Sequence, residues 1–294
     1  MSEMYRYPSI INAKKLRCDD SIKTYFVSEK MHGANFSFIL EKDGIKVASR
    51  NQLLGDLDGI TFFSSGDLIR KKVKALYKSN LYKEFCSNEK VEKVIIYGEL
   101  YGDKVFKNTG YNKSSDFIAF DMLVFLKGDV NFFVNYEMFK HKVSEVFDVV
   151  SAIQIGNLET LINRCSKEEN FEINRFLEGF VIKSYETRRV EERVYKVISP
   201  KFSKRKTTKE KVVIDKELNE QHLKYLELIN AERVESAISK LGQVGFSEVL
   251  NEVLSDAEKD FIEDGGVYED RKSFFTPMMP TILPIVRETW LANR

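Results

Sequence analysis

Residues Glu29-Lys30-Met31-His32-Gly33-Ala34-Asn35-Phe36 gather a carboxylate, a primary amine, an imidazole and a carboxamide around one glycine. A lysine amine can attack an electrophilic phosphorus, such as the α-phosphorus of a nucleotide, once it has lost its proton. At an ordinary pKa of ~10.4 it has almost no lone pair to offer near neutrality. Partial desolvation and neighbouring cations favour the neutral form, so a reactive Lys30 needs a sheltered element with basic company. Gly33 permits positive φ and a close approach of phosphate to the backbone, while His32 and Asn35 offer hydrogen bonds around the bend.

The flanks predict that element. Residues 24–29 and 35–40 read as two strands of β-branched, aromatic and apolar residues, with the lysine turn between them. A Lys42-Asp43-Gly44 turn then leads into a third strand over 45–50. Further strands are predicted over 94–99, 117–124, 179–183 and 194–198, with helices over 67–85 and 136–149. Several of these strands end on an ionisable residue, as a sheet edge lining a cleft would.

Beyond Pro200 the pattern changes. Residues 201–211 hold six basic side chains against one acidic and read as an exposed connector. From about Asp215 the apolar positions recur at three and four residues, which predicts helices to about Trp290. The expected organisation is a mixed domain over 1–200, a connector over 201–214 and a helical domain over 215–294.

Composition narrows the function classes. With 46 basic and 45 acidic residues in 294, the net charge is +1, so nucleic-acid binding must rest on local patches rather than on a global field. Three histidines make a zinc site improbable, and Cys18, Cys86 and Cys165, with no Cys-x-x-Cys pair, read as reduced thiols. No apolar run has the length of a signal peptide or a membrane span, so a soluble cytoplasmic protein is expected.

The residues after Lys30 carry a second layer of information. Arg50 closes the third strand, Glu99 sits in Ile95-Ile96-Tyr97-Gly98-Glu99, and Phe120 lies in Phe117-Ile118-Ala119-Phe120-Asp121-Met122. Glu178 opens Glu178-Gly179-Phe180-Val181-Ile182-Lys183, and Lys196 lies in Val194-Tyr195-Lys196. This ordered series resembles the nucleotidyltransferase motifs of the covalent ligase and capping-enzyme superfamily, most closely the RNA ligase 2 family of phages and the trypanosome RNA-editing ligases. Taken singly, each glutamate fits a surface carboxylate and Phe120 fits a core ring. The joint order favours the site.

The resemblance implies an α+β fold: an adenylyltransferase domain of mainly antiparallel sheets with flanking helices, followed by a small all-α domain. It implies an ATP-dependent RNA ligase in which Lys30 becomes a lysyl-AMP, passes AMP to an RNA 5′-phosphate, and a 3′-OH then displaces the AMP. Lys183 and Lys196 would neutralise phosphate charge, and Glu99 and Glu178 would hold Mg2+, with Mn2+ as a substitute. Arg50 and Asn35 would contact sugar and phosphates, with His32 beside them, Phe120 would stack on adenine and Glu29 would accept from the purine amino group. The expected partner is RNA, as a nicked or bridged duplex, bound by a monomer with no membrane association. The helical tail argues against an OB-fold, which DNA ligases and capping enzymes typically carry. One departure is Ile198, where the family usually has a second lysine after Lys196. It admits a weakened, ligase-like nucleic-acid-binding protein as an alternative; a GTP-using guanylyltransferase is the other.

Overall fold

The computed structural model describes residues 5–13, 23–55, 57–60, 62–106, 110–111, 113–166, 178–192, 194–199, 218–242 and 244–293. The connector over 201–211, with Lys201, and Cys18 lie outside the described residues. The chain divides into two compact units, Met1–Ser203 and Lys204–Arg294.

The first unit holds two sheets. One runs in the order β1 (Ile10–Asn12), β12 (Val194–Ile198), β11 (Gly179–Ser184), β2 (Tyr25–Glu29) and β10 (Gln154–Gly156). All its pairings are antiparallel except β1 with β12. Strand alternation sends Tyr25, Val27, Phe180, Ile182, Tyr195 and Val197 to one face, where Leu158, Leu161 and Cys165 of helix α4 (Leu158–Cys165) complete a core. The opposite face carries Phe26, Ser28, Val181, Lys183 and Lys196, brought into line by the register Val181↔Ser28 and Val181↔Lys196.

The second sheet contains β5 (Leu53–Leu54), β4 (Gly44–Ser49), β3 (Ala34–Glu41), β6 (Val91–Tyr101), β7 (Asp116–Leu126) and β8 (Val130–Phe133). β3 is buried over seven of its eight residues because both faces are covered. On one face Phe38 packs against Phe117 and Phe147; on the other Ile39 joins Tyr7, Ala48, Ile95, Tyr97, Leu123 and Phe133. Ile10 of β1 reaches that second cluster, so the two sheets close on each other there.

Two expected helices differ from the observed ones. The 67–85 segment is α1 (Gly66–Lys78) followed by α2 (Asn80–Ser87), because Ser79 is extended and its side chain accepts from the Tyr82 N–H as the α2 cap. Helix α3 (Tyr136–Val143) stops short of 149. Its apolar spacing continues, but Phe147 turns into the core and Asp148–Val149 forms a short parallel strand, β9, against β7.

The second unit is helical over its described residues: α5 (Glu220–Leu226), α6 (Ala231–Leu241), α7 (Phe246–Glu263), α8 (Arg271–Phe275) and α9 (Met279–Ala292). Asn219, Asn230 and Asp270 cap α5, α6 and α8 through their side chains. Val234, Ala237, Val249, Val253, Ala257, Ile282 and Val286 supply the buried stripe. Arg233 bridges Asp256 and Asp260, and Lys240 bridges Glu252 and Asp256, which ties α6 to α7. Among the described residues no helix is long and apolar enough to cross a membrane. Cys86 and Cys165 are free thiols.

Gly98 lies in the middle of β6, paired with Phe36 on one side and Ala119 on the other. A Cβ there would lie 2.2 Å from the Phe117 ring and 2.4 Å from the Ile118 carbonyl oxygen. Gly98→Ala is therefore expected to destabilise the first unit by about 1–3 kcal/mol through overpacking. Urea unfolding checks this, and an unchanged midpoint would contradict it.

Candidate active site

Lys30 follows the last residue of β2, and its backbone N–H donates to the Gly179 carbonyl at 2.8 Å. That bond sets the Lys30 side chain beside Glu178, the residue preceding β11. The Lys30 ammonium donates to Glu178 Oε1, while Oε2 lies 3.2 Å from His32 Nδ1. One carboxylate thus spans the lysine and the histidine. The pair is sheltered: the Lys30 side chain is 23% exposed and that of Glu178 12%.

His32 is held from two further sides. Its backbone N–H donates to the Tyr111 hydroxyl at 2.8 Å, and its ring stacks on Phe106 with centroids 5.1 Å apart. Phe106 leans on Phe63, which takes a left-handed φ of 46°. A bulky residue rarely adopts that conformation, and its local cost is met by the packing around it.

Gly33 is not one of the positive-φ residues, so its role differs from the one expected. A Cβ at Gly33 would lie 2.3 Å from the Leu100 carbonyl oxygen and 2.8 Å from Glu99 Cγ. The glycine is required because the lysine turn passes against β6, and that contact brings Glu99 to Lys30.

The second sheet supplies the other side of the site. Asn35 pairs in register with Glu99, and Arg50 follows the end of β4, one position beyond the Phe36↔Ser49 pair. Burial raises the Glu99 carboxyl from 4.5 to about 7; the Lys30 charge opposes the rise, Glu178 adds to it, and His32 and Arg50 oppose it more weakly. Burial would also raise Glu178, but the charges and hydrogen bonds of Lys30 and His32 overcome it and hold the group at about 2. Two carboxylates in one neighbourhood are thereby driven in opposite directions, one poised near neutrality and one firmly ionised.

The remaining residues divide by position. Phe120, partly buried, is the extra residue of a bulge: Tyr97 pairs with Asp121 and Gly98 with Ala119, leaving Phe120 between them. Lys183 is four residues along β11 from Gly179, or ~13 Å at strand rise. Its ammonium donates to the Phe120 carbonyl and lies 3.2 Å from Asp121 Oδ2. Burial lowers it to about 8 against the pull of Asp121, with Arg188 adding to the fall. Lys183 is thus at the far end of the cleft from Lys30, engaged with Asp121. Lys196 lies on the cleft face opposite Val181, beside Asn12 of β1, and Ile198 continues that face opposite Gly179. Glu29 pairs in register with Phe180, and alternation puts its side chain on the Val27 face, away from Ser28.

Lys30, His32, Asn35, Arg50, Glu99 and Glu178 are therefore gathered at one end and Phe120 with Lys183 at the other. Sequence reading missed Tyr7, Phe106, Tyr111 and Arg188, and it quoted Asp121 without giving it a role. Among the described residues no group of three or more His, Cys, Asp or Glu side chains is arranged to hold a metal ion. Glu99 and Glu178 together still fit a hard cation that keeps most of its waters and takes one or two carboxylates.

A lysine tethered to one sheet, with an ionised glutamate against it and a second, titratable glutamate on the neighbouring sheet, is an arrangement suited to covalent nucleotide transfer. The chain belongs to the RNA ligase family, which it matches over residues 23–198. It is similar to solved structures of an RNA ligase from Naegleria gruberi. An apo variant is 17% identical, with 61% of this chain and 50% of that chain covered and a TM-score of 0.45. A variant with ATP and Mn gives 16%, 61%, 51% and 0.44, and one with AMP and Mn gives 18%, 62%, 52% and 0.45. The chain spans about half the length of these solved chains.

The two carboxylates predict a pH signature. With a folded pKa near 7 against 4.5 for an ordinary glutamate, the folded state binds the Glu99 proton more tightly than the unfolded chain does. Its contribution is fully present below pH 4.5 and is lost as pH rises through about 7. Glu178 acts oppositely, its contribution being lost only as pH falls toward about 2. Glu99→Gln should therefore gain stability relative to the parent between pH 5 and pH 8. Thermal melts at both values test it; a difference in Tm that does not change with pH would contradict the assignment.

Proposed function

We propose that this chain is an ATP-dependent RNA ligase that joins 3′-OH and 5′-phosphate ends, at nicks or bridged breaks in duplex RNA, through a lysyl-AMP intermediate. The observation that carries the reading is the Lys30 ammonium held on Glu178, with His32 on the other carboxylate oxygen, inside the family-matched region. Further support is the similar solved RNA ligases that contain ATP or AMP with Mn.

In this reading Lys30 Nζ forms a bond to the α-phosphorus as the bond from that phosphorus to the pyrophosphate oxygen breaks. The lysine must first give up its proton, and Glu99, half-titrated near neutrality, stands within electrostatic reach of it. Glu178 orients the amine, and His32 fixes the second oxygen of that carboxylate. Asn35 and Arg50 contact sugar and phosphates from the second sheet, and Lys196 neutralises phosphate charge from β12. Phe120 offers its face to the adenine. Mg2+ or Mn2+, held by Glu99 and Glu178 through water, would supply charge neutralisation at the phosphates. The AMP then moves to an RNA 5′-phosphate, and a 3′-OH displaces it to close the strand.

Incubation with [α-32P]ATP and magnesium should label the protein, and Lys30→Ala should abolish the label while retaining sealing of pre-adenylylated RNA. ATP-dependent sealing by Lys30→Ala would refute the nucleophile. Unlabelled ATP should displace the label better than GTP; the reverse order would point to guanylyl transfer.

Ile198 is the feature that favours a slower enzyme, since an alkyl chain offers phosphate no charge. Ile198→Lys is expected to leave label formation unchanged or to raise it by up to about tenfold, the effect of one charge-assisted contact. A severe loss would show that Ile198 serves packing instead.

A further inference from the structure

The cleft end opposite Lys30 is built around Asp121, which is 4% exposed. One carboxylate oxygen, Oδ2, accepts from Arg188 Nη2, from the Tyr7 hydroxyl at 2.8 Å and from Lys183 Nζ at 3.2 Å. Arg188 is 2% exposed, and its guanidinium lies 3.7 Å over the Phe133 ring. Its backbone is fixed as well: Phe133 N–H donates to the Arg188 carbonyl at 2.9 Å and Arg188 N–H returns the bond at 3.0 Å. A segment that leaves β11 is thereby fastened to β8, at the edge of the other sheet.

Two of the three partners of Asp121 touch Phe120, and the third, Arg188, bonds one of those two. Lys183 donates to the Phe120 carbonyl as well as to Asp121. The Tyr7 ring meets the Phe120 ring edge to face at 4.9 Å, and its hydroxyl contacts both Asp121 and Arg188, the latter at 3.2 Å. Phe120 is the bulged residue, freed from the ladder and therefore dependent on these contacts for its direction. We propose that Arg188 is a positioning residue for nucleotide binding, which holds Asp121 and Tyr7 and through them aims the Phe120 ring at the base.

A purely stabilising role fits the cluster less well. Two cations share one buried carboxylate, and desolvating such a group consumes much of what the attraction returns. Apolar residues could fill the same volume at no such expense. What the charges add is direction, because Asp121 and the Phe120 carbonyl are both fixed by donors of defined position.

This inference rests on the ligase reading, in which Phe120 carries the base. The test is a double-mutant cycle on enzyme adenylylation, with KM for ATP and kcat measured separately for the parent, Arg188→Met, Phe120→Leu and the pair. Arg188→Met should raise KM for ATP by about tenfold, as expected for loss of a charge-assisted hydrogen bond, with kcat nearly unchanged. The double variant should be no worse than the poorer single one, because both act on the same ring. Arg188→Lys, which keeps a cation beside Asp121, should recover part of the loss and covers the case in which Arg188→Met does not fold. Multiplicative effects in the double variant, or Arg188→Lys and Arg188→Met preparations of reduced stability with unchanged KM, would overturn the proposal. Absence of any label on the parent protein would instead overturn the ligase reading, and this inference with it.

Discussion

The site depends on one carboxylate being shared. Glu178 has two oxygens, and the structure gives one to an amine and the other to an imidazole. An isolated carboxylate in so sheltered a position would take up a proton, and an isolated ammonium would be equally costly there. Beside the amine and the imidazole Glu178 stays ionised, and it in turn adds to the rise of Glu99 on the other sheet. The electrostatic character of that whole end of the site follows from this single contact.

The other end is organised on the same principle, again around one shared carboxylate. There a lone acid, Asp121, is surrounded by Lys183, Arg188 and the Tyr7 hydroxyl, and the attraction of the two cations keeps it ionised despite burial. The two ends are joined by β11, which carries Glu178 before its first residue and Lys183 near its last. A single strand therefore delivers an anion to one end and a cation to the other, while the strands around it supply the complementary partners.

Much of this was legible in the chain. The strand leading to Lys30 and those carrying Glu99, Phe120 and Lys196 were found because alternation of apolar residues is a local property, visible within a few positions. The helix breaks were not, since Ser79 ends one helix and caps the next without disturbing the apolar spacing. The 136–149 segment failed for a related reason: Val149 satisfies a helical period and a strand pairing alike, and only the presence of β7 decides between them. The Asp121 cluster was beyond sequence reading altogether, because its members lie 67, 114 and 181 positions apart and gain meaning only on contact. Gly33 shows the intermediate case, where the need for glycine was visible but its cause, the passing backbone of β6, was not.

The Glu178–Gly179 dipeptide has a dynamic implication. The carbonyl of Gly179 grips the main chain of Lys30 and the carboxylate of Glu178 grips its tip, so the lysine is fastened at both ends to two adjacent residues. Were the two sheets to move apart, the lysine would ride with β11 and keep its partner. Glu99, anchored on the opposing sheet, would recede. Such a motion would leave one of the two contacts whole and break the other, and the second acid would meet the amine again only on the sheets' return.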